Sequence, residues 1–242
     1  MTKEEIHPSL PAPDLLKMQA DWLADARGHI LRNAEISKRS KVLDLGCGYG
    51  FVIPELRRKS NGKVFGLDRS LYALSSFVAD APVICADAGR LPFPTHTFDL
   101  VFSQNVLLWA KKVTDILHEA LRVLVRDGTW VLFEPDYGGL MEYPSELQTS
   151  DVWIRALHRS GADPFIGRKL PAMLSASGFM VRVELLPKLF FPNAARFEFL
   201  EELPLTDSER DHVRQMKAMS DELSPTHQVA HLPYFLIIAD RS

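Results

Sequence analysis

The chain has 242 residues, of which 46% are apolar and 24% charged, with a formal net charge of −3. That balance excludes a fibrous or disordered chain, and the slight acidic excess gives no overall pull toward a nucleic-acid backbone. The length suits one α/β domain with a decorated core rather than two domains.

The N-terminal stretch MTKEEIHPSLPAPDLL carries acids and prolines where a secretory signal would be apolar, and no run approaches the length of a membrane span. We therefore expect a cytoplasmic protein without membrane insertion. Cys47 and Cys85 are the only cysteines and form no CxxC pair, so both are expected as reduced thiols. The eight histidines, including His96, His118 and His158, share no ligand spacing with acids or cysteines, and no metal is expected.

In chain order, residues 15–34 read as one helix with Leu16, Ala20, Leu23 and Ile30 loosely periodic. KVLDLGCGYGF follows, a short apolar strand running into Gly46, Gly48 and Gly50, and then a helical pattern that stops near Asn61-Gly62. KVFGLD is a second strand, LYALSSFVAD a helix, and PVICAD a third strand. FDLVFS, Phe98 to Ser103, reads as a buried strand, and Val113, Ile116, Leu117, Ala120 and Leu124 form a helical stripe that should stop at Asp127-Gly128. TWVLFEPDYGG is a fifth strand with its exit loop. Helices are expected within 146–158 and 168–177, a strand near 179–186, a helix over 206–223, and a last strand, PYFLIIAD.

Strands alternating with helices across short connections imply a mostly parallel sheet with crossovers on both faces, an α/β doubly wound fold. In such sheets ligands bind outside the carboxyl ends of the strands. Three features fall there in order: the glycine turn, Asp68 at the end of the second strand 18 positions after Gly50, and Asp87-Ala88 at the end of the third. Taken singly, each reads as helix packing or a cap; together they imply a nucleoside-containing ligand whose ribose hydroxyls a carboxylate can accept. The glycine pattern is G-x-G-x-G rather than the G-x-G-x-x-G of dinucleotide sites.

The segments VLDLGCGYG, GLD, ADAGRLPF and FDLV resemble the successive motifs of class I S-adenosylmethionine-dependent methyltransferases, over roughly residues 41–134. The LPF segment is similar to the type 11 group related to ubiquinone and menaquinone synthesis. The resemblance implies a seven-stranded, mostly parallel Rossmann-like sheet whose last strand is antiparallel and inserted between the fifth and sixth. It implies S-adenosyl-L-methionine as cofactor, with Gly46, Cys47, Gly48 and Gly50 beneath its methionyl part and Asp44 orienting the glycine loop. Asp68 would meet the ribose, Arg69 the adenine edge, Asp87 the adenine amino group and Ala88 its ring. The Ser103-Gln104 backbone would meet the cofactor's amino-acid end; apart from the resemblance, Arg27 on the first helix is placed to reach the cofactor carboxylate.

One domain is expected over 1–242: a helical cap (1–40), the cofactor-binding core (41–190), a helical insertion (191–230) and the last strand (231–242). Cap and insertion should shape an acceptor pocket, with Trp22, Phe165, Phe190, Phe191, Phe197 and Phe199 as candidate lining. Where base methyltransferases of this superfamily carry Asn/Asp-Pro-Pro-aromatic, the chain reads Ser103, Gln104, Asn105, Val106, which favours a small-molecule acceptor. Asp136 and Tyr137 in EPDYGG are the candidates for orienting that acceptor, Asp136 also as a base; a turn closed by Gly138-Gly139 is the competing reading. Two other functions stay open, a methyltransferase-like binding or regulatory domain without catalysis and a nucleotide-dependent oxidoreductase.

Overall fold

A computed structural model describes residues 10–76, 80–186, 192 and 195–242. Two helices open it, α1 (Pro13–Trp22) and α2 (Ala24–Asn33). The single helix expected over 15–34 is thus broken at Leu23, which is buried at the joint between them. Pro13 starts α1 with φ already set for a helix.

The core then runs β1 (Lys41–Leu45), α3 (Ile53–Lys59), β2 (Lys63–Asp68), α4 (Leu71–Ser75), β3 (Val83–Cys85), β4 (Phe98–Gln104), α5 (Val113–Val123) and β5 (Leu124–Pro135). Helix α5 ends at Val123, short of the expected Asp127-Gly128 stop, because Leu124 already pairs with Phe98 of β4. After β5 come β6 (Met141–Tyr143), α6 (Ser150–Arg159), α7 (Ile166–Ala176), β7 (Phe179–Leu185), α8 (Ala195–Glu201), α9 (Asp207–Glu222), β8 (Val229–His231) and β9 (Tyr234–Arg241).

Seven strands form one sheet in the order β3-β2-β1-β4-β5-β9-β7. The first five are parallel, and β9 lies antiparallel to both β5 and β7, in the place expected for PYFLIIAD. Alternate residues feed opposite faces, as a period of two requires. Leu43, Val101, Leu132 and Ile237 pack with α5 and α7, whereas Val42, Phe102, Val131 and Ile238 pack with α2 and α3. Burial on both faces is why these strands read as unbroken apolar runs. Phe98, Phe102 and Phe133 are fully buried, each contributing roughly 2–3 kcal/mol.

The insertion is built as packed helices. Phe197, Leu200, Val213 and Met216 join the main core, and α9 opens with a Thr206/Glu209 capping box. Glu209 also takes Arg155 Nε at 2.9 Å and pairs with Arg159, docking α9 on α6. Strands β6 and β8, not expected from the sequence, form a two-stranded antiparallel sheet that joins the exit of β5 to the end of the insertion.

Candidate active site

The strand order reverses between β1 and β4, and there a cavity of about 1400 Å³ opens at the carboxyl ends of the strands. The three glycines perform different tasks, all at positive φ: 77° for Gly46, 51° for Gly48 and 83° for Gly50. A side chain at Gly46 would strike Val106 Cγ2 at 2.4 Å, so that glycine lets the β4 exit loop close over the turn. Gly50 donates to the Cys47 carbonyl at 2.8 Å and closes the turn on itself, away from the cavity lining. Around Gly48, by contrast, a Cβ would meet nothing within 4 Å, and the residue lines the cavity. The approach left open at the glycine turn is therefore at Gly48.

Asp68, buried at the end of β2, accepts the Gly48 N–H at Oδ2 and the Ser70 N–H at Oδ1, each at 2.8 Å. It lines the cavity, and each oxygen keeps a second lone pair for a ligand hydroxyl. The orienting of the glycine loop expected of Asp44 is performed by Asp68. Asp44 instead lines the cavity while buried, and its Oδ2 has no hydrogen-bond partner. Burial drives its carboxyl up to about 7, against the pull of the Arg27 guanidinium and with the push of the Asp68 charge. A buried acceptor of this kind is completed by a cationic or N–H group.

Arg69, Asp87 and Ala88 line the open end of the cavity, where Asp87 Oδ1 accepts the Gly89 N–H at 2.6 Å. Cys47 lines it too, its thiol pushed up by burial and by the charges of Asp44 and Asp68. Arg27 is buried outside the lining; it binds Glu55 at 2.7 Å through Nε and donates to Gln104 Oε1 at 3.0 Å. Its route to the cavity is through Gln104, which does line it. Ser103 points into the core, accepting the Trp130 indole N–H at 3.0 Å.

The opposite side of the cavity is lined by Trp22, Tyr137, Trp153, Arg196, Phe199 and Tyr234, among others. Phe165 and Phe197 lie outside this lining, and Phe190 and Phe191 lie outside the described residues. Tyr137 stacks on Trp153 with ring centroids 4.9 Å apart, and burial pushes its phenol well above the ordinary range. At neutral pH it is a donor, not a base. Asp136 is buried beside it yet faces away from the cavity, accepting Arg168 Nε at 2.6 Å and the Gly138 N–H at 3.2 Å. Both of its oxygens are engaged in holding the loop.

Sequence reasoning passed over Glu134. Its Oε1 accepts the N–H groups of Val106 and Leu107 at 2.9 and 2.8 Å, and its Oε2 that of Leu108 at 3.3 Å. Burial raises its carboxyl to about 7 despite these three donors. Glu134 thereby fixes the loop after β4, which carries Val106, Leu108 and Trp109 into the cavity wall. An acid ending an otherwise apolar strand, VLFE, was the available signal.

A family model described as a methyltransferase domain matches residues 43–132. The rat protein "Arginine-hydroxylase NDUFAF5, mitochondrial" is 32% identical over 168 residues, covering 67% of this chain and 48% of the relative. The malonyl-[acyl-carrier protein] O-methyltransferase of Marinomonas sp. is 32% identical over 121 residues, 47% of this chain and 44% of its own. The chain thus spans about half the length of the curated relatives it matches. Among solved structures, Bacillus subtilis YcgJ superposes with a TM-score of 0.67 at 16% identity, covering 90% of this chain and 98% of that one. Geranyl diphosphate C-methyltransferase from Streptomyces coelicolor A3(2), in complex with Mg²⁺, geranyl diphosphate and S-adenosyl-L-homocysteine, gives 0.59 at 14% identity over 92% and 80% of the two chains. The sheet order, the glycine turn and the matched stretch together give residues 43–132 the fold and motifs of a class I S-adenosylmethionine-dependent methyltransferase domain.

Proposed function

We propose that the chain transfers a methyl group from S-adenosylmethionine to a small-molecule acceptor. The observation that carries this reading is the continuity of one cavity from Asp68 and Gly48 to Tyr137 and Trp153. Its volume of about 1400 Å³ exceeds the ~300–1,000 Å³ usual for a single-ligand pocket, which leaves room for a second molecule.

The residues present suit the cofactor. Asp68 would hold the ribose hydroxyls, Asp87 and Ala88 the adenine, and the bare backbone of Gly48 would admit the methionyl chain. Asp44, with its unpartnered buried oxygen, would take the ammonium group, and Gln104, braced by Arg27, would sit beside it. The cofactor supplies an electrophilic methyl on a positively charged sulfur. The protein's part is to align an acceptor lone pair with it and to keep water out, which positioning alone can accelerate strongly. Tyr137 donates a hydrogen bond to orient that acceptor, and Trp153 fixes the phenol by stacking. Glu134 holds the β4 exit loop at the junction of the two ligand volumes.

The absence of the base-methyltransferase signature at Ser103 to Val106 and the acidic balance support a small molecule over nucleic acid. Two unbridged cysteines support a reducing compartment, which we take to be the cytoplasm. No helix of the described residues is long and apolar enough to cross a membrane.

The test is incubation of the chain with methyl-labelled S-adenosylmethionine and metabolite fractions, followed by mass analysis of the products. Label in a small molecule, lost in Asp68→Ala, supports the proposal; label in none, with the cofactor bound, favours a binding or regulatory domain. The name of the rat relative favours a second reading, hydroxylation. In that case the product gains an oxygen atom and no labelled methyl.

A further inference from the structure

Arg196 stands in the first turn of α8 and lines the cavity on the side of β6 and α6. Its Nε, Nη1 and Nη2 are all buried, and none has a hydrogen-bond partner. The guanidinium lies over the ring of its neighbour Phe197, 4.6 Å from the centroid, which fixes its orientation without satisfying a single N–H. An arginine cannot shed its proton in a protein, so burial leaves a desolvated cation with its whole donor fork unused.

The carboxylate that acts on it does not neutralise it by contact. Glu142 acts on Arg196 through space, but its Oε1 accepts the Thr149 hydroxyl at 2.6 Å and its Oε2 the N–H groups of Thr149 and Ser150 at 2.7 and 3.1 Å. Burial still lowers the basicity of Arg196 in spite of that carboxylate. Arg159, which lines the same cavity, is by contrast bound to the Pro204 carbonyl and to Glu209. Arg210, in the first turn of α9, adds a further cation to the wall, while Glu201, half-buried, and Glu202, exposed, add carboxylates.

We propose that Arg196 is a specificity-determining residue which binds a carboxylate or phosphate group of the acceptor. The planar fork matches both anions in bidentate fashion, and a neutral acceptor would leave it unsatisfied. This inference deepens the methyltransferase reading and rests on it for the word acceptor; the anion site itself rests on Arg196. An acceptor so held enters the cavity with its anionic end between α8 and β6, and its reacting atom is directed toward Tyr137.

Malonate and inorganic pyrophosphate serve as probes of the two anion types, titrated by calorimetry into the intact chain with and without S-adenosylhomocysteine. At least one probe should bind wild type and raise its melting temperature, and the stronger of the two identifies carboxylate or phosphate. Arg196→Met should weaken that probe at least tenfold and Arg196→Lys less so, with S-adenosylhomocysteine affinity kept within twofold. Without a probe, Arg196→Met should melt no lower than wild type, because it removes an unpaired buried charge; a cation retained for packing on Phe197 would make it melt lower. Equal probe binding by wild type and Arg196→Met, or no binding of either probe to wild type, overturns the proposal. Failure of S-adenosylhomocysteine to bind wild type would overturn the cofactor reading instead, and the titrations without it would still decide the anion site.

Discussion

Acidifying the solution from about pH 7 to about pH 5 should weaken S-adenosylhomocysteine binding ~50-fold, and Asp44→Asn should abolish that dependence. In the free protein burial holds the Asp44 carboxyl at about 7, beside the cavity and with Oδ2 unpartnered. Only its ionised form attracts an ammonium group. Half of the molecules carry that form at about pH 7 and about one in a hundred at pH 5, a difference worth ~2.3 kcal/mol in binding. The sign follows from linkage: a bound cation favours the ionised form, so binding expels a proton in this range and acid opposes it. Calorimetry across the range, in two buffers of different ionisation heat, measures both the affinity and the proton released. An affinity that stays constant in wild type, or falls equally in Asp44→Asn, would refute the pairing of Asp44 with the ammonium.

Asp68→Ala should cost the cofactor product roughly 1.5–3 kcal/mol, about 10- to 150-fold in affinity, because the ribose loses a charged acceptor. Gly48→Val places a branched side chain at φ 51° in the one open approach at the turn, and calorimetry should show binding lost beyond detection while the fold persists by circular dichroism. Tyr137→Phe should lower kcat or raise the acceptor KM with cofactor affinity held within about twofold, ~0.4 kcal/mol; Asp136→Asn, which loosens the Arg168 contact, should lower the melting temperature more than it changes kcat. Glu134→Ala strands three backbone N–H groups and should destabilise the fold by about 3 kcal/mol in urea unfolding, whereas Glu134→Gln can keep the two bonds at Oε1 and should cost about 1 kcal/mol.

The glycine turn and the strand-end carboxylates that line the cavity were legible because their signals are local. Gly46, Gly48 and Gly50 need positive φ wherever the chain folds, and Asp68 and Asp87 follow apolar runs short enough to be strands. The place of β9 came from the resemblance, since nothing in PYFLIIAD by itself says which strands it joins. What escaped reading depends on partners distant in sequence. Asp136 looked like a base in a loop, but Arg168, 32 residues further on, turns it away from the cavity. Arg196 carries no sequence signal, because its importance lies in the absence of a partner after folding. Strands β6 and β8 are three residues each and joined across almost the whole insertion, too short and too far apart for periodicity to detect. The break at Leu23 went unseen because its apolar side chain continues the helical stripe on both sides.

The most direct test of the methyltransferase assignment is a crystal structure of the chain with S-adenosylhomocysteine. The ribose hydroxyls should rest on Asp68 and the ammonium on Asp44, with the sulfur facing the side of the cavity that holds Tyr137. A ligand bound elsewhere, or one in the cavity whose ribose does not touch Asp68, would contradict the assignment.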